Sequence, residues 1–270
     1  MAIPGQGWMA WGALGLVWVP LLVLVVHSFN AARLGSGWGG FTWAWYRAAA
    51  GNEALRAAVL NSVILALSST SISVVLGTLL GYGVGRDPKR AQGWREGLLR
   101  LPTVVPDIVS AISLVLFFSW VRRWLTAWEP GMTQMILGHV GLQLPFVALV
   151  VRARALSLDP ALAEAARDLG ATPARVFWHV TLPALRPGVV AGALLALTLS
   201  LDDFALSFFN GGPGSTTLPV YIYASARRGV SPEVNAAATV MLVLTAVLAL
   251  VALRWQRRGR PLARGVTPSA

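Results

Sequence analysis

The sequence predicts an all-α membrane protein with six transmembrane helices, and three observations carry that expectation. Of its 270 residues, 56% are hydrophobic and only 12% charged, about half the charged share of an ordinary soluble domain. Six apolar windows recur along the chain, each of the roughly 20 residues a helix needs to cross a hydrocarbon core about 30 Å thick. The basic residues fall mainly in alternate segments between those windows, the pattern that sets membrane topology. The formal charge of +11 is therefore a topology signal; no aromatic-basic module accompanies it, and nucleic acid is not an expected partner. The absence of cysteine excludes disulfides, thiol catalysis and cysteine-ligated metal sites.

The first window, 9–29, is preceded by no charged residue and followed by no convincing cleavage site, so it is expected to be a retained span. The segment 30–52 carries Trp38, Phe41, Trp43, Trp45 and Tyr46, rings suited to anchoring at the membrane–water boundary. The second window, 55–85, is long enough to tilt or protrude. Its Gly77, Gly81, Gly83 and Gly85 form a small-residue face for close helix packing. No strand precedes them, so they are not a nucleotide fingerprint. Ser68, Ser69, Thr70, Ser71 and Ser73 are expected to bond backbone carbonyls or neighbouring helices.

The third window, 98–121, contains Pro102 and Pro106; the fourth is 132–151, the fifth 187–209 and the sixth 234–253. Gly211, Gly212, Pro213 and Gly214 mark an external turn, and Glu233 after Pro232 reads as a first-turn acid stabilised by the dipole of the last helix. His27, His139 and His179 lack metal-ligand spacing and are expected to bond within the bundle or a loop. The 254–270 tail, rich in Arg, Gly and Pro, is suited to anionic lipid. With both termini cytoplasmic, the inner segments hold fifteen of the 22 basic residues, in clusters at 86–100, 152–186 and 254–264. The outer segments hold Arg33, Arg47, Arg56, Arg122, Arg123, Arg227 and Arg228. Arg122-Arg123 is the local exception.

The segment 157–187 is the longest polar-marked stretch between windows and reads as two short helices. Asp159 is a good N-cap with Pro160 at the first helical position, and Gly170 suits the left-handed position just past the helix end near Leu169. Thr172-Pro173 repeats the start, and the second helix is expected to run to Val180 before Leu182-Pro183 stops it. Glu164 and Arg167 share a face at i,i+3, Asp168 lies one turn beyond Glu164, and Ala165 and Ala166 leave room for a partner to approach.

Glu164-Ala165-Ala166, Gly170 and Val180-Thr181-Leu182-Pro183 together resemble the "EAA" loop of binding-protein-dependent ABC importer permeases, which usually has Ile at the position of Val180. The resemblance implies that this loop is a coupling helix, between the fourth and fifth spans, that docks in a cleft of a separate ATPase subunit. Glu164, Ala165, Ala166, Arg167, Asp168, Gly170, Leu182 and Pro183 are then the coupling residues.

Three acids stand inside the windows: Asp107 near the middle of the third, and Asp202-Asp203 in the outer half of the fifth. A carboxylate at a helix centre costs roughly 2.5–3.5 kcal/mol on the insertion scale. Adjacent helical residues point about 100° apart, so Asp202 and Asp203 cannot face one groove equally. Two readings stand: carboxylates lining a path for cations, or caps and ends of broken helices. Pro106-Asp107-Ile108-Val109, Ser200-Leu201-Asp202-Asp203-Phe204, Gly212-Pro213, Leu218-Pro219 and the block 229–236 resemble the second permease of spermidine/putrescine ABC importers. Sulfate and molybdate permeases typically have Gly-Glu-Phe-Gly at that Asp-Asp element.

This second resemblance spans 45 to about 250 and implies a type I importer permease (MetI-like) architecture in a bacterial inner membrane. It implies a polyamine path along Asp107, Asp202 and Asp203, with Phe204 and Trp120 as aromatic neighbours. The partners implied are a paralogous permease, two copies of an ABC ATPase that binds ATP and magnesium, and a periplasmic-type binding protein. Betaines, opines or aminophosphonates are the alternative cargo.

Competing classes fare worse on the residues. The chain has no phosphate-binding Gly-x-x-x-x-Gly-Lys-Ser/Thr loop, and its one lysine, Lys89, lies in Arg86-Asp87-Pro88-Lys89-Arg90, so ATP must be hydrolysed by a partner. No nucleophile–base set or metal constellation supports an enzyme. A self-powered carrier has no use for a coupling loop.

Overall fold

The computed structural model describes residues 6–32, 37–85, 89–126, 128–227 and 232–258. Arg33, Arg86, Arg228, residues 229–231 and most of the basic tail lie outside the described residues. Among the described residues the regular structure is helical, with one isolated antiparallel bridge between Asn30 and Phe41.

Four described segments are long and apolar enough to cross a membrane: α3 (Glu53–Gly85), α6 (Met132–Ala155), the run Pro173–Asp202, and Pro232–Val251 at the start of α12 (Pro232–Arg258). The first expected span is α1 (Gln6–Ser28), whose described apolar stretch is Gly15–Ser28.

The third expected span is not one helix. α4 (Lys89–Val104) and α5 (Asp107–Val121) meet at a bend of 99°. Pro102 is carried inside α4, whereas Pro106 adopts an extended ψ of 137° and breaks the chain. Proline has no N–H to give the helix and disfavours helical backbone at the residue before it, here Val105.

Nor do Leu182 and Pro183 stop the second loop helix. α8 (Pro173–Val176) passes through one π-helical turn, Phe177–Thr181, directly into α9 (Leu182–Asp202). The Leu182 N–H reaches back to the Phe177 carbonyl, five residues away. In an unbroken α-helix the Pro183 ring would collide with the carbonyl of His179, and the wider turn relieves that clash.

By internal contacts the chain forms two units, Met1–Asn61 with Thr216–Ala246, and Ser62–Ser215 with Val247–Ala270. The first contains α2 (Ala44–Gly51) and α11 (Leu218–Arg227) around Leu55, Leu218 and Ala237. Asn52 caps α3, its Oδ1 accepting the Leu55 N–H at 3.1 Å, and its amide donates to the Tyr221 hydroxyl at 3.2 Å. Glu233 stands in the first turn of α12 as expected.

Asn30 ties the aromatic segment together. Its amide donates to the Gly37 carbonyl at 2.7 Å, its side-chain oxygen accepts from the Gly39 N–H at 2.8 Å, and its carbonyl accepts the Trp45 indole N–H at 2.7 Å. Phe29, Phe41, Trp43 and Tyr46 form a ring cluster with centroids 4.9–5.7 Å apart, Phe29 stacked on Phe41 and Trp43 edge-on to both, while Trp38, Phe41 and Trp43 remain exposed.

In the second unit α6 is buried along most of its length and packs against α9, with Val147, Val151, Leu185 and Ala196 at the contact. Ala148 joins Val84 of α3 and Leu99 of α4 in a second cluster. The glycines of α3 are unequal. A Cβ on Gly77 would lie 2.8 Å from the Val147 side chain, and one on Gly81 would collide with the Ala148 carbonyl. Gly83 faces open space, so the expected glycine face does not include it.

Gly81→Val is accordingly expected to destabilise the detergent-solubilised protein by about 1–3 kcal/mol. Gly83→Ala is expected to be neutral or to gain up to about 1 kcal/mol through helix propensity. Thermal melts of the two variants beside the parent check both outcomes.

Candidate functional site

Two regions of the second unit concentrate the candidate residues. In the loop, α7 (Ala161–Asp168) starts as its sequence dictates: Asp159 Oδ1 accepts the Ala161 N–H at 2.9 Å, with Pro160 between them. It ends in a Schellman turn. Gly170 takes φ +82°, its N–H bonds the Arg167 carbonyl at 2.8 Å, and the Ala171 N–H bonds the Ala166 carbonyl at 3.0 Å. Thr172 Oγ1 then accepts the Arg175 N–H at 3.4 Å and opens α8 ahead of Pro173. Arg154, near the end of α6, ties that helix to the start of α9, its Nε donating to the Ala184 carbonyl at 3.1 Å.

Glu164, Ala165, Arg167, Asp168, Gly170 and Pro183 are exposed, and Ala166 and Leu182 half-buried. Glu164 and Arg167 share one face, as the spacing predicts, and both line a groove of about 300 Å³ with Tyr82, Leu158, Val180 and Thr181. Among the described residues no ion pair joins them. The same elbow exposes three large apolar side chains outside the candidate spans or at their edge, Leu162, Leu169 at 89% and Trp178 at 62%. Exposed apolar surface of this kind marks a contact surface. The sequence reading did not single these three out.

The acids lie at helix ends. Asp107 is exposed and is the first residue of α5, at the bend between α4 and α5. Asp202 is the last residue of α9, and Asp203 turns the chain with ψ 124° before Phe204 and α10 (Ala205–Asn210). The breaks at Pro106 and after Asp202 place these acids at helix ends, one of the two positions left open by the sequence. Asp202 is exposed and within electrostatic range of both Asp203 and Asp107. Among the described residues no lysine or arginine pairs with Asp107 or Asp202. Phe204 stacks on Phe208 with centroids 5.1 Å apart. Trp120 is exposed on α5 against Phe117 and Trp124.

Asp203 is engaged differently. Its carboxylate accepts the N–H groups of Leu206 at 3.2 Å and Ser207 at 2.9 Å, and the Ser207 hydroxyl at 3.1 Å, and so caps α10. His139 Nε2, fully buried on α6, lies 3.3 Å from it. From His139 a buried polar chain runs through Ser200 Oγ at 2.9 Å and Ser69 Oγ 3.4 Å beyond. The Gln143 amide donates to Ser69 at 3.1 Å, and Ser73 donates to Gln143 Oε1 at 3.0 Å. The Ser69 hydroxyl also donates to the Leu65 carbonyl at 2.7 Å, and the Ser207 hydroxyl lies 3.4 Å from His139 Nε2. A second set holds α10 to α5 and α6. The Gln134 amide donates to Asn210 Oδ1 at 3.0 Å, and the Asn210 amide donates to the Ala111 carbonyl at 3.3 Å.

The family model for the binding-protein-dependent transport system inner membrane component matches residues 73–264. The chain belongs to this family. Among relatives of this permease is the putrescine transport system permease protein PotI of Escherichia coli K12, 36% identical over 239 residues, 87% of this chain and 85% of that protein. The spermidine/putrescine transport system permease protein PotC of the same organism is 37% identical over 234 residues, 87% of each chain. The crystal structure of a bacterial ABC transporter that imports alginate superposes with a TM-score of 0.68 at 20% identity, covering 94% of this permease and 96% of that chain, a likeness of fold alone. The helical ABC importer permease fold expected from the sequence is the one observed; of the six expected spans, the described residues hold four helices long and apolar enough to cross a membrane, or five if α4 and α5 form one bent span.

Proposed function

We propose that this permease is the channel-forming subunit of an ATP-driven polyamine importer. The observation that carries the reading is the pair Asp107 and Asp202: two exposed carboxylates at helix ends in an apolar chain, paired with no lysine or arginine among the described residues. Carboxylates so arranged favour a mobile cation, and an alkyl diammonium presents two charges on an apolar stem. Phe204 and Trp120 offer ring faces for cation–π contact. The 36–37% identity to putrescine and spermidine/putrescine permeases over most of the chain supports the same class of cargo.

The chain has no phosphate-binding lysine loop and is not itself an enzyme; ATP and magnesium belong to two copies of a cytoplasmic ATPase. A periplasmic-type binding protein delivers the amine, and a paralogous permease completes the path. Both termini and α7 lie on the cytoplasmic side, in accord with the fifteen-to-seven division of basic residues. Closure of the ATPase dimer moves α7. The π turn joins α8 to α9 without a break, so a push passed from α7 across the Gly170 turn reaches the helix that ends at Asp202.

Uptake into proteoliposomes holding the complete importer, compared for putrescine, spermidine, betaine and sulfate, tests the reading. Amine uptake far above that of betaine and sulfate is the expected result. Preferential betaine or sulfate uptake overturns the assignment of cargo and leaves the family unchanged.

A further inference from the structure

We propose that His139 is a positioning residue that clamps Asp203 at the α9–α10 break, so that Asp202 is the single carboxylate of the pair offered to cargo. This rests on the cation-path reading above. The two neighbours differ in surroundings. The Asp203 side chain is 6% exposed and the His139 side chain 0%, whereas Asp202 is exposed. Both oxygens of Asp203 are occupied by α10 and by His139.

The His139 ring is itself fixed by Ser200, less than one turn before Asp202 on α9, and by the chain through Ser69 and Gln143. The histidine therefore links α6, which does not carry the acids, to the orientation of the segment that does. Its chemical consequence concerns release. Cargo must be held well enough to enter and loosely enough to leave. Two free carboxylates side by side would grip a diammonium through both charges, and withdrawing one of them weakens that grip.

The test uses the complete importer in proteoliposomes, with the amount of assembled complex and the putrescine uptake rate per complex measured separately. His139→Leu is expected to lower the rate per complex about tenfold, and Asp203→Asn added to it to restore the rate to within about threefold of Asp203→Asn alone. Asn at 203 still offers an oxygen to the α10 N–H groups, so the cap survives. Asp202→Asn added to His139→Leu relieves the double grip but removes the carboxylate that cargo needs, and is expected to restore nothing. His139→Gln, whose amide reaches as far as Nε2, keeps most of the rate, and His139→Asn, which reaches Ser200 but not Asp203, does not.

A loss in His139→Leu confined to the amount of complex overturns the clamp. So does equal suppression by Asp202→Asn and Asp203→Asn. If His139→Leu fails to assemble, the Gln and Asn variants decide: equal rates per complex overturn the clamp, and a slow Asn variant beside a fast Gln variant supports it. Undiminished uptake in Asp202→Asn alone removes the cation-path reading instead, while suppression by Asp203→Asn still reports on the clamp.

Discussion

Asp202→Asn is expected to lower maximal putrescine uptake about tenfold or more while the complex assembles in normal amount. A carboxylate and an ammonium group 4 Å apart attract by roughly 1–4 kcal/mol between bulk water and a protein surface, so one lost contact suffices for that drop. Assembly survives because Asp202 is exposed and makes no ion pair within the described residues. Asp107→Asn acts in the same direction with a smaller effect, since Asp107 sits at the first residue of α5, where the helix dipole already offsets part of its charge. Asp203→Asn affects uptake least of the three, because its carboxylate serves α10 and His139 and not cargo. Initial rates of labelled putrescine uptake, divided by complex recovered, rank the three variants. The order is part of the expectation: a larger loss for Asp203→Asn than for Asp202→Asn contradicts the assignment.

The second large effect belongs to Glu164. Glu164→Ala is expected to cut ATPase stimulation by loaded binding protein about thirtyfold, the scale of losing a contact worth about 2 kcal/mol at the centre of an interface. Glu164 is exposed on α7, lines the groove beneath the loop and has no ion-pair partner among the described residues. Its removal therefore leaves the permease fold intact while taking a charge from the surface offered to the ATPase. α7 is held rigidly by Asp159 at one end and the Gly170 turn at the other, so the substitution changes a docked surface and not the helix that carries it. ATP hydrolysis measured with and without putrescine-loaded binding protein, alongside uptake, gives the coupling. Full stimulation in Glu164→Ala contradicts the reading of α7.

Much of this was legible from local chemistry. Asp159-Pro160, Gly170 and Thr172-Pro173 each carry a rule that does not depend on the rest of the fold, and each cap forms as expected. Prolines are harder to read. Pro106 breaks its span whereas Pro102 and Pro183 do not, because the outcome depends on whether neighbouring backbone can widen a turn or must bend. The split between Asp202 and Asp203 was half visible: their angular separation follows from helix geometry, but which one turns inward depends on His139, sixty-odd residues away.

The polar chain itself left a signal in the sequence. His139 and Gln143 are four apart on α6, Ser69 and Ser73 four apart on α3, and two such pairs in apolar helices can meet face to face. No pattern in the sequence states that these two helices are neighbours.

The central claim is that this chain moves amines only with work supplied by a separate ATPase, and omission of that subunit tests it most directly. Vesicles containing the two permeases, with ATP inside and loaded binding protein outside, are prepared with and without the ATPase dimer. Putrescine accumulation against its gradient is expected only when the dimer is present. Accumulation of the amine in vesicles lacking the dimer would contradict the account.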